Sequence, residues 1–231
     1  MKSPGPLLAS GRDSDIFEYG PGLVLRRSRE GHSMATEART MSFMRDRGYP
    51  VPAVEELSDD GLDMVMERIE GVTMVEAIGK SPWTIRRHGA TLADLHRRLH
   101  DIEAPEFLPA APVGTGTKVL HLDLHPLNVM IGPKGVWVID WPNAHRGDPN
   151  VDIGLAWVLM AAGQIPGGGL KARLLGFGRS LLVNGFLSHF DRLAVGRLVR
   201  QIVEMKVQDP HMSEAEIAGM WNVVQQAEAG A

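Results

Sequence analysis

Strand-type patterning fills the chain up to about Gly71 and helix-type patterning fills it afterwards. The 231 residues must therefore bury a sheet face in one place and a set of amphipathic helices in another. Ile16 to Tyr19 and Leu23 to Arg27 are short β-prone runs joined by Gly20-Pro21-Gly22, a hairpin composition. Ser33 to Arg47 carries Met34, Ala38, Met41 and Phe43 or Met44 at helical spacing and stops at Gly48, with Pro50 and Pro52 beyond. Val54 to Leu57 and Leu62 to Arg68 flank the turn Ser58-Asp59-Asp60-Gly61. The predicted order is strand, strand, helix, strand, strand over residues 1–70, with a connector at about Glu67 to Gly71.

Residues 71–231 read as a helical lobe. Ser81 as N-cap, Pro82 at the first helical position, and Ile85, Leu92, Leu95 and Leu99 on one stripe predict a helix to about Asp101. A Pro- and Gly-rich loop, Ala104 to Thr117, leads to two short strands around Gly132-Pro133-Lys134-Gly135. From Val151 the pattern is helical, with breaks at Pro166 to Gly169 and near Asp209 to Ser213. The fold class expected is α+β, with a small, mostly β N-terminal lobe and a mostly α C-terminal lobe. Trp83, Trp137, Trp157 and Trp221 are expected in the core.

Composition narrows the chemistry. The chain has no cysteine, which removes disulfide scaffolds, thiolate metal sites and cysteine nucleophiles together. Its net charge is -4, so nothing draws it to nucleic acid or to an anionic membrane. Its longest apolar stretch, Ile153 to Ala162, falls far short of the roughly 20 residues that span a bilayer. A soluble, cytoplasmic protein is the expectation, with oxygen and nitrogen groups doing any chemistry.

Those groups concentrate in His121-Leu122-Asp123-Leu124-His125-Pro126-Leu127-Asn128, followed twelve positions after Asn128 by Asp140 and Trp141. If Pro133-Lys134-Gly135 forms a three-residue hairpin loop, Gly132 faces Val136 and, counting outward, Asn128 faces Asp140. Opposed residues point to one face about 4.5–5.5 Å apart. An amide oxygen and a carboxylate there are hard ligands that suit Mg²⁺, which takes a few protein oxygens plus substrate phosphates. Asp123, in the loop entering the first strand, lies close enough to act on the same ligand.

This run, with Ile139-Asp140-Trp141, resembles the catalytic loop and metal-binding motif of the aminoglycoside phosphotransferase family, small-molecule kinases with a protein-kinase-like fold. The resemblance implies phosphoryl transfer from ATP or GTP to a hydroxyl of a small-molecule substrate, with Mg²⁺. Asp123 would accept or orient the acceptor hydroxyl, while Asn128 and Asp140 would hold the metal. His121 would brace the loop, and His125 would lie where protein kinases place a loop lysine. Leu23-Val24-Leu25-Arg26 resembles the strand bearing the phosphate-pairing lysine, with Arg26 as substitute and Glu37 as its helix partner. Val24 would then face the base, and Gly11 to Ile16 would cover the phosphates with a single glycine. Met66 to Gly71 resembles the segment between the lobes, so the backbone around Glu67 would meet the adenine edge. Gly147-Asp148-Pro149 and Asp152 resemble the stretch after the metal carboxylate, with Asp152 bracing the catalytic loop. The family usually carries glycine where this chain has Leu122 and Leu127.

Other readings compete with these. His121, Asp123 and His125 alternate as a zinc or iron trio would, though such a site requires neither Asn128 nor Asp140. His96 and His100, at i and i+4, share a helix face as a metal pair would. Glu204, Asp209, Glu214 and Glu216 could line a cleft for a cationic acceptor. The replaced lysine, the glycine-poor loop and the two leucines also suit a kinase-like regulatory module that binds nucleotide without turning it over.

Overall fold

The computed structural model describes residues 2–11, 13–163, 169–210 and 212–230. In chain order the elements are β1 (Leu7–Ser10), β2 (Ser14–Glu18), β3 (Leu23–Ser28), α1 (Ala35–Asp46), β4 (Val54–Leu57), β5 (Asp63–Glu67), β6 (Val72–Thr73), α2 (Met74–Lys80), α3 (Ile85–His100), β7 (Lys118–Leu120), β8 (Val129–Gly132), β9 (Gly135–Val138), β10 (His145–Gly147), α4 (Pro149–Ala162), α5 (Gly169–Leu187), α6 (Arg192–Lys206) and α7 (Glu214–Ala229). Short 3-10 turns lie at Pro82–Thr84 and Pro126–Asn128. The chain divides into two compact units, Met1–Val72 with Val129–Pro142, and Thr73–Asn128 with Asn143–Ala231.

The first unit is built on an antiparallel sheet in the order β1-β2-β3-β5-β4. The β2–β3 hairpin turns where Gly20 and Gly22 take φ of 102° and 71°, values that a residue without a Cβ adopts most easily. On one sheet face Tyr19, Leu25 and Val65 form a buried cluster with Phe17 and Leu23 against it. Strand alternation turns the intervening residues to the other face. There Ile16, Arg26 and Met64 are cross-strand partners, as are Glu18, Val24 and Met66. Helix α1 buries Ala38, Met41 and Met44, and with them Glu37.

The β8–β9 hairpin groups with this unit by its contacts, although it follows most of the second unit's first half in sequence. Val138 donates its backbone N–H to Pro50 O at 2.7 Å. A Cβ added at Gly132 would lie 2.1 Å from Glu70 O, so the backbones touch there directly. The hairpin register differs from the expectation by one residue. Gly132 pairs with Gly135 and Val129 with Val138, because only Pro133 and Lys134 make the turn and Gly135, at φ 134°, already belongs to the strand. Asn128 lies in the preceding 3-10 turn, so it is not the ladder partner of Asp140.

In the second unit α2 was not anticipated. It begins with a capping box in which Thr73 and Glu76 satisfy each other's backbone N–H groups. The helix expected from Ser81 starts later: Pro82–Thr84 is a 3-10 turn, Ser81 makes no side-chain cap there, and α3 runs from Ile85 with Leu92, Leu95 and Leu99 buried. Trp83, in that turn, is 80% exposed rather than in the core, whereas Trp157 is buried as expected. Helix α4 is buried along Val151 to Val158; it packs on α6 and α7, while α3 packs on α5. Asp148, Asp191 and Ser213 cap α4, α6 and α7 through side-chain oxygens. The break expected near Asp209 to Ser213 is present, the one at Pro166 to Gly169 falls largely outside the described residues, and the break before Asp191 had no Pro or Gly to mark it. Among the described residues no helix is long and apolar enough to cross a membrane.

Candidate active site

In the second unit the segment from His121 to Asn128 is held from beneath by Asp152. This carboxylate, 1% exposed, accepts hydrogen bonds from the backbone N–H groups of His121 at 3.1 Å and Leu122 at 2.7 Å, and from His100 Nε2 at 3.0 Å. Burial alone would raise its pKa, but the His100 hydrogen bond and the neighbouring imidazoles hold it far below the usual carboxylate range. Gripped this way, Leu122 takes φ 55°, the left-handed region where a glycine is the easy occupant. His121 is fully buried.

Asp123 emerges from this anchored backbone. Its Oδ1 lies 3.3 Å from His125 Nε2, and its Oδ2 accepts from Asn128 Nδ2 at 3.0 Å. The Leu127 N–H donates to His125 Nδ1 at 3.3 Å, which makes Nδ1 the acceptor and leaves the ring proton on Nε2, facing Asp123. Burial pushes the Asp123 pKa up, yet the His125 bond and nearby positive charges outweigh it and keep the group ionised below its ordinary value. Asn128 spends both amide hydrogens on Asp123, on the carboxylate and on the backbone oxygen at 2.9 Å. With both amide hydrogens so placed, its amide oxygen remains as a hard acceptor.

In the first unit Arg26 is a hub. Its Nε donates to Ser14 Oγ at 2.9 Å, Nη1 to Glu37 Oε1 at 2.6 Å and Nη2 to Asp140 Oδ1 at 3.3 Å. Burial works against the guanidinium charge, but the two carboxylates more than restore it and raise its pKa. Glu37, 4% exposed, is pushed upward by burial and by the nearby Asp140, against the pull of Arg26. The same Glu37 oxygen accepts the Trp141 N–H at 3.1 Å. Trp141, buried with its ring edge-on to Tyr49 at 5.7 Å, fixes the backbone beside Asp140, which sits at φ 70°. A non-glycine residue held there is a strained one, a condition that clusters at functional sites.

The expected residues therefore gather in two sets. Ile16, Val24 and Arg26 share one sheet face, with Glu37 and Asp140 reaching Arg26; Asp123, His125 and Asn128 form one hydrogen-bonded group. Glu67 stands apart. It is the cross-strand partner of Leu23, its N–H goes to Ala53 O, and its carboxylate accepts from Ala53 N and Arg45.

Asn128 in the second unit and Asp140 in the first each offer a hard oxygen donor, an amide oxygen and a carboxylate, of the kind Mg²⁺ takes. Among the described residues no three His, Asp or Glu side chains gather to hold a metal. The histidine trio fails because His121 points into the core. The His96 and His100 rings are engaged by Leu92 O and Asp152. Two residues escaped the sequence reading: Ser14, which orients Arg26, and His100, which braces Asp152 from 52 positions away. Neither pairing leaves a local signal.

Comparison with known proteins places the fold. No curated protein matches the sequence. The fold matches a choline/ethanolamine kinase family protein from Mesorhizobium loti, with TM-score 0.61 and 17% identity over 97% of this chain and 87% of that one. It also matches aminoglycoside phosphotransferase APH(2'')-Ib, solved bound to ADP, at TM-score 0.59 and 16% identity over 96% and 92% of the two chains. Aminoglycoside-3'-phosphotransferase of type VIII aligns with TM-score 0.57 and 18% identity over 95% and 90%. At these identities the likeness is one of fold, the kinase-like α+β architecture. A family model goes further, matching residues 6–115 and 106–182, well over half of the sequence: the chain belongs to the phosphotransferase enzyme family (APH).

Proposed function

We propose that the chain is a Mg²⁺-dependent kinase that moves the γ-phosphoryl group of ATP or GTP to a hydroxyl of a small molecule. The observation that carries this reading is the Asp123 group: an ionised carboxylate, oriented by His125 on one oxygen and by Asn128 on the other. Such a carboxylate suits the task of taking or aiming a hydroxyl proton. Asp123 is the catalytic base, and His125 keeps it ionised and aimed. Asn128 and Asp140 would hold Mg²⁺, which when bound neutralises charge on the phosphates. Arg26, oriented by Ser14 and Glu37, offers its guanidinium to the phosphates, and Val24 and Ile16 offer apolar contact to the base. That APH(2'')-Ib was solved with ADP agrees with a nucleotide substrate. The contact between Arg26 and Asp140 favours a second reading, a non-catalytic nucleotide-binding module in which the guanidinium occupies the metal carboxylate.

Thermal unfolding with ATP and with GTP, each with and without Mg²⁺, tests the site. A ligand at about 100 times its Kd adds about 2.7 kcal/mol to the folded state, or roughly 5–10 °C for a chain of this size. A Mg²⁺-dependent rise with one nucleotide, and transfer that Asp123→Ala abolishes while the rise persists, is the result expected. A rise without transfer to any hydroxylated acceptor would select the second reading, and no rise at all would overturn both.

A further inference from the structure

Beside the catalytic loop, within the second unit, the structure has a cavity of about 570 Å³, a size usual for small-molecule sites. His125 and Leu127 form one part of its wall, and Val75, Ile85, Leu159 and Leu182 form much of the rest. Leu127 is 55% exposed and Val75 is 44% exposed, so both present bare apolar surface. Two further exposed side chains, Trp83 and Phe177, directly follow Pro82 and precede Gly178 of the lining. Among the described residues of the second unit, the large exposed apolar side chains are these four and Leu193 of α6; two of them line the cavity and two adjoin its lining in sequence, as expected where a ligand covers part of the surface.

Besides His125, the described lining has two ionisable side chains, Arg179 and Glu216, and both are committed elsewhere. Arg179 donates to Ala161 O at 2.6 Å and to Gly163 O. The Glu216 carboxylate accepts from Ser213 N at 3.0 Å and Ser213 Oγ at 2.6 Å, closing the cap of α7. Of the four acids that might have lined a cationic site, only Glu216 reaches the cavity, and Asp209 is paired with Lys206 at 2.9 Å. A polycation or quaternary amine entering here would lose water without gaining a free carboxylate. An apolar body would gain in proportion to the surface it removes from water.

We infer that the acceptor of this enzyme is a hydroxylated molecule with an uncharged, apolar body, seated in this cavity with its hydroxyl toward Asp123. The inference rests on the kinase reading above and names its substrate class. The acceptor oxygen forms the new bond to the γ-phosphorus, the bond from that phosphorus to the bridging oxygen of the nucleotide breaks, and the hydroxyl proton passes to Asp123. Leu127 becomes a specificity residue, because its exposed side chain lines the cavity two positions from His125.

The test uses the full chain and four probes: geraniol, an isoprenoid alcohol; phenylbutanol, an aryl alkanol; choline; and kanamycin, a polycationic amino sugar. Binding of each is measured first without nucleotide, on the wild type and on Val75→Glu, a substitution at an exposed helix position. One or both apolar alcohols are expected to bind, and Val75→Glu to weaken that binding by tenfold or more. In turnover the apolar alcohol is expected to exceed choline and kanamycin in kcat/KM by at least about 100-fold. Absence of binding by both alcohols, no effect of Val75→Glu, or preference for choline or kanamycin would each overturn the acceptor class. With the Mg²⁺-dependent nucleotide shift intact, those results leave the kinase reading standing. Loss of the nucleotide shift overturns the kinase reading and the acceptor assignment with it.

Discussion

Leu122 shows two effects opposed at one residue. Its φ of 55° costs a non-glycine residue about 1–2 kcal/mol, and a glycine there would remove that cost. Yet the side chain is only 8% exposed, and deleting a buried leucine costs about 2–5 kcal/mol. Burial is the larger effect, so leucine is the more stable occupant despite its backbone. Leu122→Gly should therefore lower stability by about 1–3 kcal/mol in denaturant unfolding, despite relaxing the backbone; a more stable variant would show that strain dominates. Three positions on, His125 acts through Asp123. Loss of a hydrogen bond to an ionised group is worth about 1.5–3 kcal/mol, so His125→Ala should slow transfer about 10- to 100-fold. Because the imidazole helps hold the Asp123 pKa down, its removal should also move the acid limb of the pH–rate profile to higher pH. A slower variant with an unmoved limb would mean that His125 only fills space.

At the scale of elements, the β8–β9 hairpin matters because Asp140 follows its last strand. The Cβ of Gly132→Ala would lie 2.1 Å from Glu70 O, and that of Gly71→Ala 2.3 Å from Ile131 O. Both overlaps are with backbone, so the hairpin or the connector must shift, at about 1–3 kcal/mol. Gly132→Ala should weaken Mg²⁺-dependent nucleotide binding although it removes no ligand, and unchanged affinity by calorimetry would show that the hairpin's seat is unimportant. This hairpin also marks the limit of what the sequence disclosed. Its existence was legible from Gly132 to Gly135, but its register turned on whether Gly135 belongs to the loop or the strand, a choice that composition leaves open. Strands β2 to β5 and helix α3 were legible because alternation or a 3.6-residue stripe runs through them. Strand β1 was not, since all four residues are exposed and no face alternates. Helix α2 buries only Met74, too little for periodicity, though its Thr73-x-x-Glu76 box was there to be read. The candidate site divides in the same way. Asp123, His125 and Asn128 fall in one short run, whereas the bonds from Ser14 to Arg26 and from His100 to Asp152 join distant residues.

For the whole molecule, acid stability should be governed by the histidines packed behind the catalytic loop. His96 is fully buried, its ring edge-on to Phe186 at 5.0 Å and to His100 at 5.7 Å, and its Nε2 has no hydrogen-bond partner. Burial pushes its pKa down to about 4, with the charges of His100 and His121 acting the same way and Asp152 opposing. In the unfolded chain the same group titrates near ~6.5. Between those values the unfolded state binds the extra proton, so stability falls as pH drops from about 6.5 towards 4. Between pH 7 and pH 5 the loss from this one group is about 2 kcal/mol, or roughly 4–8 °C in Tm for a chain of this length. Asp152 works in the same direction at lower pH: its depressed pKa stabilises the fold above the unfolded carboxylate range, and that contribution fades in stronger acid. His96→Leu removes the first effect and leaves the second. Its Tm should change less between pH 7 and pH 5 than that of the wild type, while below pH 4 both proteins should lose stability together. An equal acid-induced drop in the two proteins between pH 7 and pH 5 would assign that loss to other groups and leave His96 as packing alone.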